Sequence, residues 1–281
     1  MKVKILSDST CDLSPELIEK YDIGILPLFV NMADRTMRDG LEVVPDDIYS
    51  YVKESGVLPK TAAPNISDYL DFFNKWHEQG YSIVHFNISS EFSSAYNTAC
   101  LAAEEVGDVR VVDSRNLSTG QGLIVLYAAE LAADGKSIDE IKAACDIIAP
   151  KVEASFVVDS IDYLYKGGRC SAVAALGANL LKLKPQIDVV DGKMDSSKKY
   201  RGNIDKVILS YAEDKLRGRD DIDYHRVFVT HTKCNPEVVK QVVDKVREMC
   251  PQFEEILETT AGCTVTSHCG PNTLGVLFIR K

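Results

Sequence analysis

With 281 residues, 45% of them apolar and 26% charged, the chain is long enough for one large or two ordinary globular domains. Its formal charge of −10 comes without a lysine or arginine block, which argues against a nucleic-acid partner and leaves any bound anion to local donors. No stretch approaches the ~20 apolar residues of a membrane span, and Ser7-Asp8-Ser9 interrupts the short apolar start, so no signal peptide, no stable membrane insertion and a cytoplasmic location are expected.

In chain order, Val3-Lys4-Ile5-Leu6 reads as a strand running into a polar turn, Ser7 to Thr10. Ser14-Pro15-Glu16 opens a helix, with serine as cap and proline where its missing N–H costs nothing. Ile23 to Val30 is the next expected strand, and Arg35 to Gly40 reads as a polar loop. A helix starts at Asp46-Asp47 and Gly56 closes it. Lys60 to Asn65 is a short extended piece before a helix carrying Ile66, Tyr69, Leu70, Phe73 and Trp76 at helical spacing. The strand Ile83 to Ile88 empties through Ser89, Ser90, Ser93 and Ser94 into an alanine-rich helix. Val109 to Ser114 is a strand, Leu123 to Ala133 a helix, and Ser137-Ile138-Asp139-Glu140 a capping box for another. Alternating strands and helices imply crossover connections and a largely parallel sheet.

Beyond Pro150 the pattern changes. Ser155 to Val158 is a strand, Tyr165 to Arg169 a glycine turn with basic groups, and Ala172 to Lys184 a helix rich in small residues. Asp191-Gly192 marks a tight hairpin. Helices from Asn203 to Leu216 and from Asn235 to Met249 flank a strand at Val227 to Val229. The chain then reads strand, turn, strand, with Thr264 to His268 paired in a hairpin with Leu274 to Ile279. The fold expected is two α/β domains, residues 1–152 with a largely parallel sheet and residues 153–281 with a mixed one.

A strand that ends in hydroxyls at a helix start places donors where open α/β sheets bind ligands and where helix amides favour an anion. Thr61, the serines at 89–94 and Ser267-His268 are the polar loops that stand out. One reading makes a serine a nucleophile and His268 its base, with Asp8 or Asp113 orienting the ring, a serine-dependent acyl hydrolase. The serines lack the Gly-x-Ser-x-Gly elbow that exposes such a nucleophile. The other reading uses the same atoms as donors to a carboxylate: Thr61 and Ser93 hydroxyls, the His268 ring N–H and helix amides. Eight cysteines without a CxxC pair and histidines without ligand spacing predict neither a metal site nor disulfides. No Walker motif or dinucleotide fingerprint is present, so no nucleotide site is expected. Lys166, Arg169, Lys198, Lys199, Arg201 and Lys206 form a local basic concentration.

Taken together, the chain resembles the DegV family, whose members include the fatty-acid-binding subunits of bacterial fatty acid kinase. The resemblance rests on Ser7-Asp8-Ser9-Thr10, Thr61-Ala62-Ala63-Pro64, Ile88 to Tyr96, Val112-Asp113-Ser114 and Gly167-Gly168-Arg169. It continues through Leu181 to Pro185, Lys199-Tyr200-Arg201-Gly202 and His268-Cys269-Gly270-Pro271. It implies a long-chain fatty acid held between two α/β domains, with no cofactor and no catalytic residue of its own. Thr61, Ser93 and His268 would bind the carboxylate, and the acyl chain would fill a tunnel mainly in the second domain, with Ala174 to Leu180 as a candidate wall. The ligand would be presented to a separate fatty acid kinase catalytic subunit for acyl-phosphate formation, with Arg169 and Arg201 docking that partner. Glu91, Ser94 and Ala95, the Ala62-Ala63 pair and Asn272 depart from the family's pattern, which leaves open a relative that binds a different lipid.

Overall fold

The computed structural model describes residues 2–170 and 183–281. Strands β1 (Lys2–Asp8), β2 (Gly24–Leu26), β6 (Tyr81–Asn87) and β7 (Val109–Asp113) form a parallel sheet in the order β2-β1-β6-β7. Around it lie helices α1 (Pro15–Lys20), α3 (Ile66–His77), α4 (Ala95–Val106), α5 (Thr119–Ala133) and α6 (Ile138–Ile148). A mixed sheet of seven strands follows: β8 (Val152–Glu153), β9 (Ser155–Val157), β10 (Leu183–Val190), β11 (Lys193–Arg201), β12 (Ile222–His231), β13 (Glu255–Thr260) and β14 (Leu274–Arg280). Its order is β11-β10-β9-β14-β12-β13, with β8 also on β14 and β12-β13 parallel. Helices α8 (Ile204–Leu216) and α9 (Pro236–Met249) cover it, Val207, Ile208, Val239 and Val242 sharing a core with its strands. The mixed α/β class follows the sequence pattern.

Helix α5 joins the two sheets. It is apolar around its whole circumference, which is the pattern of a helix with no solvent face. Leu123, Ile124, Leu126 and Ala128 pack in one core with Ile5, Val84 and Phe86 of the first sheet and Phe228 and Leu277 of the second. Gly122 permits the approach: a Cβ there would lie 2.8 Å from the Cys11 carbonyl oxygen. At the carboxyl edge of the parallel sheet, fully buried Asp8 accepts hydrogen bonds from Thr10, Asn87, Gln121 and the Ile88 N–H. That fixes the start of the loop after β6.

A three-stranded antiparallel sheet, β4-β3-β5, was not expected. Pro27, which has no N–H to donate, splits the expected strand 23–30 into β2 and β3 (Phe29–Met32). Arg35 to Arg38 is strand β4 rather than loop; only Met37 faces inward, so this edge strand looks polar in sequence. The extended piece after Lys60 is β5 (Lys60–Ala62), and helix α2 (Pro45–Ser55) ends at Gly56 as expected. Tyr165 to Gly167 closes helix α7 (Asp162–Gly167), capped by Gly168, instead of forming a turn. Of the expected small-residue helix, residues 172–182 lie outside the described residues, while Leu183 and Lys184 open β10. The candidate acyl-chain wall from Ala174 to Leu180 therefore also lies outside them.

The terminal hairpin is the largest correction. Cys263–Cys269 is helix α10, and β14 pairs with β12, β9 and β8 instead. Thr264, Val265 and Thr266 have the β-branched character of a strand, but distant carboxylates take the amides that begin a helix. Asp12 accepts from the Gly262 N–H at 2.9 Å, and Asp39 accepts from Cys263 and Thr264 at 2.8 and 3.0 Å. Tertiary capping overrides local propensity here. The eight cysteines form no disulfide with one another, and six of them are buried.

Burial pushes the Asp12 carboxyl up to about 8, against hydrogen bonds from Ser118 and Gly262 that favour its charged form. The native state thus holds this proton more tightly than the unfolded chain, whose carboxyl has the ordinary value near 4. Its contribution to stability is largest below that value and is lost as pH rises towards about 8. Asp12→Asn should flatten this part of the pH dependence, measured as urea unfolding free energy at a series of pH values between 4 and 9.

Candidate functional site

A cavity of about 580 Å³ opens where the loop after β6 meets α10 and the β10-β11 hairpin. Leu28, Ile88, Leu117, Met194 and Val265 supply apolar wall, and Thr61, Ser93, Arg169 and His268 supply polar groups. The structure thus brings Thr61, Ser93 and His268 into one cavity from three distant stretches of chain. Arg169 joins them, whereas Arg201 lies exposed at the end of β11, away from the cavity lining.

Thr61 Oγ1 and His268 Nε2 are 2.8 Å apart. Burial, with the positive charge of Arg169 behind it, pushes the His268 ring down to about 4, so the ring is neutral at physiological pH. Its buried Nδ1 has no hydrogen-bond partner among the described residues. The tautomer that leaves no buried N–H unpaired carries its proton on Nε2, which then donates to Thr61 Oγ1. That frees the Thr61 hydroxyl proton for a ligand. Gly167 makes room for the ring, since a Cβ there would meet Nδ1 at 2.5 Å.

The four serines divide by partner. Ser89 Oγ donates to the Gly192 carbonyl, tying the loop to the tip of the β10-β11 hairpin. Ser90 Oγ donates to Asp113. Ser93 Oγ accepts from the Ala95 N–H at 3.2 Å, serving as the cap that Ser94 does not provide, and its own proton has no partner among the described residues. Only partners fixed by the fold distinguish it from its neighbours. Glu91 lies at the cavity rim and pairs with exposed Lys193 at 3.5 Å, a contact worth ~0–1 kcal/mol. Ala62 and Ala63 line the cavity without adding donors. Asn272 stands at φ 57°, the left-handed region a glycine would occupy, and its turn survives.

Among the described residues the nucleophile geometry is missing: His268 Nε2 bonds Thr61, not Ser93, and no carboxylate meets Nδ1. Asp8 is taken by its buried donors, and Asp113 by Ser90 and the Arg115 N–H. Sequence reasoning missed the cavity position of Arg169, because a glycine-rich stretch read as a surface turn. It also missed Thr264 and Val265, which a strand would have placed on opposite faces and which α10 turns together towards the cavity.

Residues 2–281 match the family described as "Uncharacterised protein, DegV family". The chain belongs to the DegV family. A DegV domain-containing protein of Clostridium acetobutylicum is 34% identical, aligned over 100% of this chain and 99% of its own. A fatty acid-binding protein of Thermotoga maritima is 34% identical over 98% of this chain and 96% of its own. The solved structure of a DegV family protein from Thermus thermophilus, titled for fatty acid binding, superposes with a TM-score of 0.89 at 28% identity and covers 100% of both chains. The overall fold of this DegV chain is thus shared with the Thermus thermophilus protein. No described helix is long and apolar enough to cross a membrane.

The site makes an electrostatic prediction. In an imidazole NMR titration, His268 should stay uncharged down to about pH 4. His225, raised by hydrogen bonding to Glu254 and Glu130, should titrate above its ordinary value in the same experiment.

Proposed function

We propose that this DegV chain is a carrier for one long-chain fatty acid. The carboxylate is held by the Thr61 and Ser93 hydroxyls with Arg169 beside them, and His268 supports Thr61. The acyl chain lies against the apolar walls, between a first domain taken as residues 1–152 and a second taken as 153–281. The observation that carries this reading is a pair of proton donors and a guanidinium gathered in a cavity that also has an apolar wall of Leu28, Ile88, Leu117, Met194 and Val265. The cavity's size is that of a small-molecule site. Each buried methylene contributes ~0.8 kcal/mol, so the acyl chain dominates affinity and the polar groups fix its orientation. Relatives named or titled for fatty acid binding support the ligand class.

The carrier has no chemistry of its own. It presents the carboxylate to a separate fatty acid kinase catalytic subunit in the cytoplasm, and Arg201 with Lys199 on the exposed β11 edge serves that docking. Arg169 is assigned mainly to the ligand, with its exposed guanidinium available to the same partner.

Protein purified from a bacterial host and extracted into organic solvent should yield about one fatty acid per chain by mass spectrometry. An empty preparation that also fails to take up added oleate overturns the reading, and a different extracted lipid changes the ligand class. Ser93→Ala and Thr61→Val should each weaken oleate binding roughly tenfold or more, the loss of one hydrogen bond to a charged group, with the fold retained. A fluorophosphonate probe should leave Ser93 unlabelled.

A further inference from the structure

Helix α10 carries His268 near its end, yet nothing in its own sequence holds its beginning. It has seven residues, its cap position is Gly262 with no side chain to offer, and three of its residues are β-branched. The first amides are satisfied from across the molecule. Asp39 Oδ1 accepts from the Cys263 N–H at 2.8 Å, and Asp39 Oδ2 accepts from the Thr264 N–H at 3.0 Å and from Ser9 Oγ at 3.2 Å. Asp39 is 4% exposed and has no cationic partner among the described residues. The helix start is therefore what compensates its buried carboxylate.

Asp39 and Thr61 sit on the same small sheet, at opposite flanks. Asp39 directly follows β4, its N–H donating to the Leu28 carbonyl, and Thr61 lies in β5, with β3 between. Two strand spacings are ~9.5 Å, and the rise from the first residue of α10 to His268 is ~7.5 Å. The helix thus lies across the sheet and is tied at both ends, to Asp39 at its start and to Thr61 through His268 near its finish. Between the ties, Cys263 is buried with Val30, Met37, Val43 and Ile48.

We infer that Asp39 is the positioning residue for His268. By fixing the start of α10 against β4, it sets the ring height at which Nε2 meets Thr61 on β5, and through that contact it orients the Thr61 proton. Asp39 does not line the cavity. Asp12, on the Gly262 N–H, shares the anchoring but reaches one amide where Asp39 reaches two.

The test compares wild type, Asp39→Ala, Asp39→Asn and a destabilised control, Val242→Ala, whose buried side chain lies in the core between α9 and the second sheet. The first measurement is the imidazole NMR spectrum of His268 in ligand-free protein. Wild type should show a single Nε2-protonated ring; Asp39→Ala should show mixed tautomers and a titration moved up towards the ordinary histidine range. Asp39→Asn, which keeps one acceptor oxygen, should fall between them, and Val242→Ala should match wild type. The second measurement is binding of cis-parinaric acid, expected to weaken tenfold or more in Asp39→Ala and less in Asp39→Asn. This arm rests on the fatty-acid reading, whereas the NMR arm does not. Wild type that ignores cis-parinaric acid counts against that reading alone. A wild-type His268 spectrum in either Asp39 variant overturns the inference, as does an equal change in Val242→Ala. If Asp39→Ala does not fold, Asp39→Asn decides.

Discussion

A single helix with no polar face organises this molecule. Because α5 is apolar on every side, it cannot exist at the edge of one sheet; it needs a second sheet to cover the face the first leaves bare. Residues from both halves therefore share one core, and the loops of the parallel sheet are brought against α10 and the β10-β11 hairpin. The cavity is the space left where these loops meet. Buried polar contacts hold the same junction: Gln121 of α5 reaches Asp8 and Ser7, while Thr119 bonds Thr230 on β12.

The chemistry of the cavity suits a weakly attracted anion with a large apolar body. The chain is strongly acidic, the histidine is neutral, and Arg169 is partly engaged with the Gly167 carbonyl. Neutral hydroxyls orient a carboxylate without the desolvation cost that a buried ammonium would add. The Glu91 carboxylate, a departure from the family's pattern, lies at the rim and faces Lys193.

Much of this was legible in the sequence where local signals and tertiary structure agree. The parallel sheet, the capped helices at Ser14 and Ser137 and the hairpin at Asp191-Gly192 all obey nearby residues. Thr61, Ser93 and His268 could be picked out as polar groups in loops, and the family resemblance linked them. Their actual pairing could not be read, because Thr61 and His268 are joined only through the fold. The failures share a physical cause. The stretch Thr264-Val265-Thr266 is helical because the side chains of Asp12 and Asp39 accept from the amides of Gly262, Cys263 and Thr264, and β4 is a strand because β3 lies beside it. The place of Arg169 in the cavity lining could not be read from its glycine neighbours, which say nothing about where a long side chain ends.

The two ties on α10 also bear on how the molecule is made. Asp39 and Cys263 are 224 residues apart, and Thr61 and His268 are 207 apart. Contacts of such separation close late, after the local helices and the parallel strands have formed. Until then, the segment that becomes α10 is a stretch with β-branched residues and strand propensity, and strand-prone segments exposed during folding invite pairing with other chains. The carboxylates that shape the finished site thus also withdraw a sticky segment from solution at the close of folding.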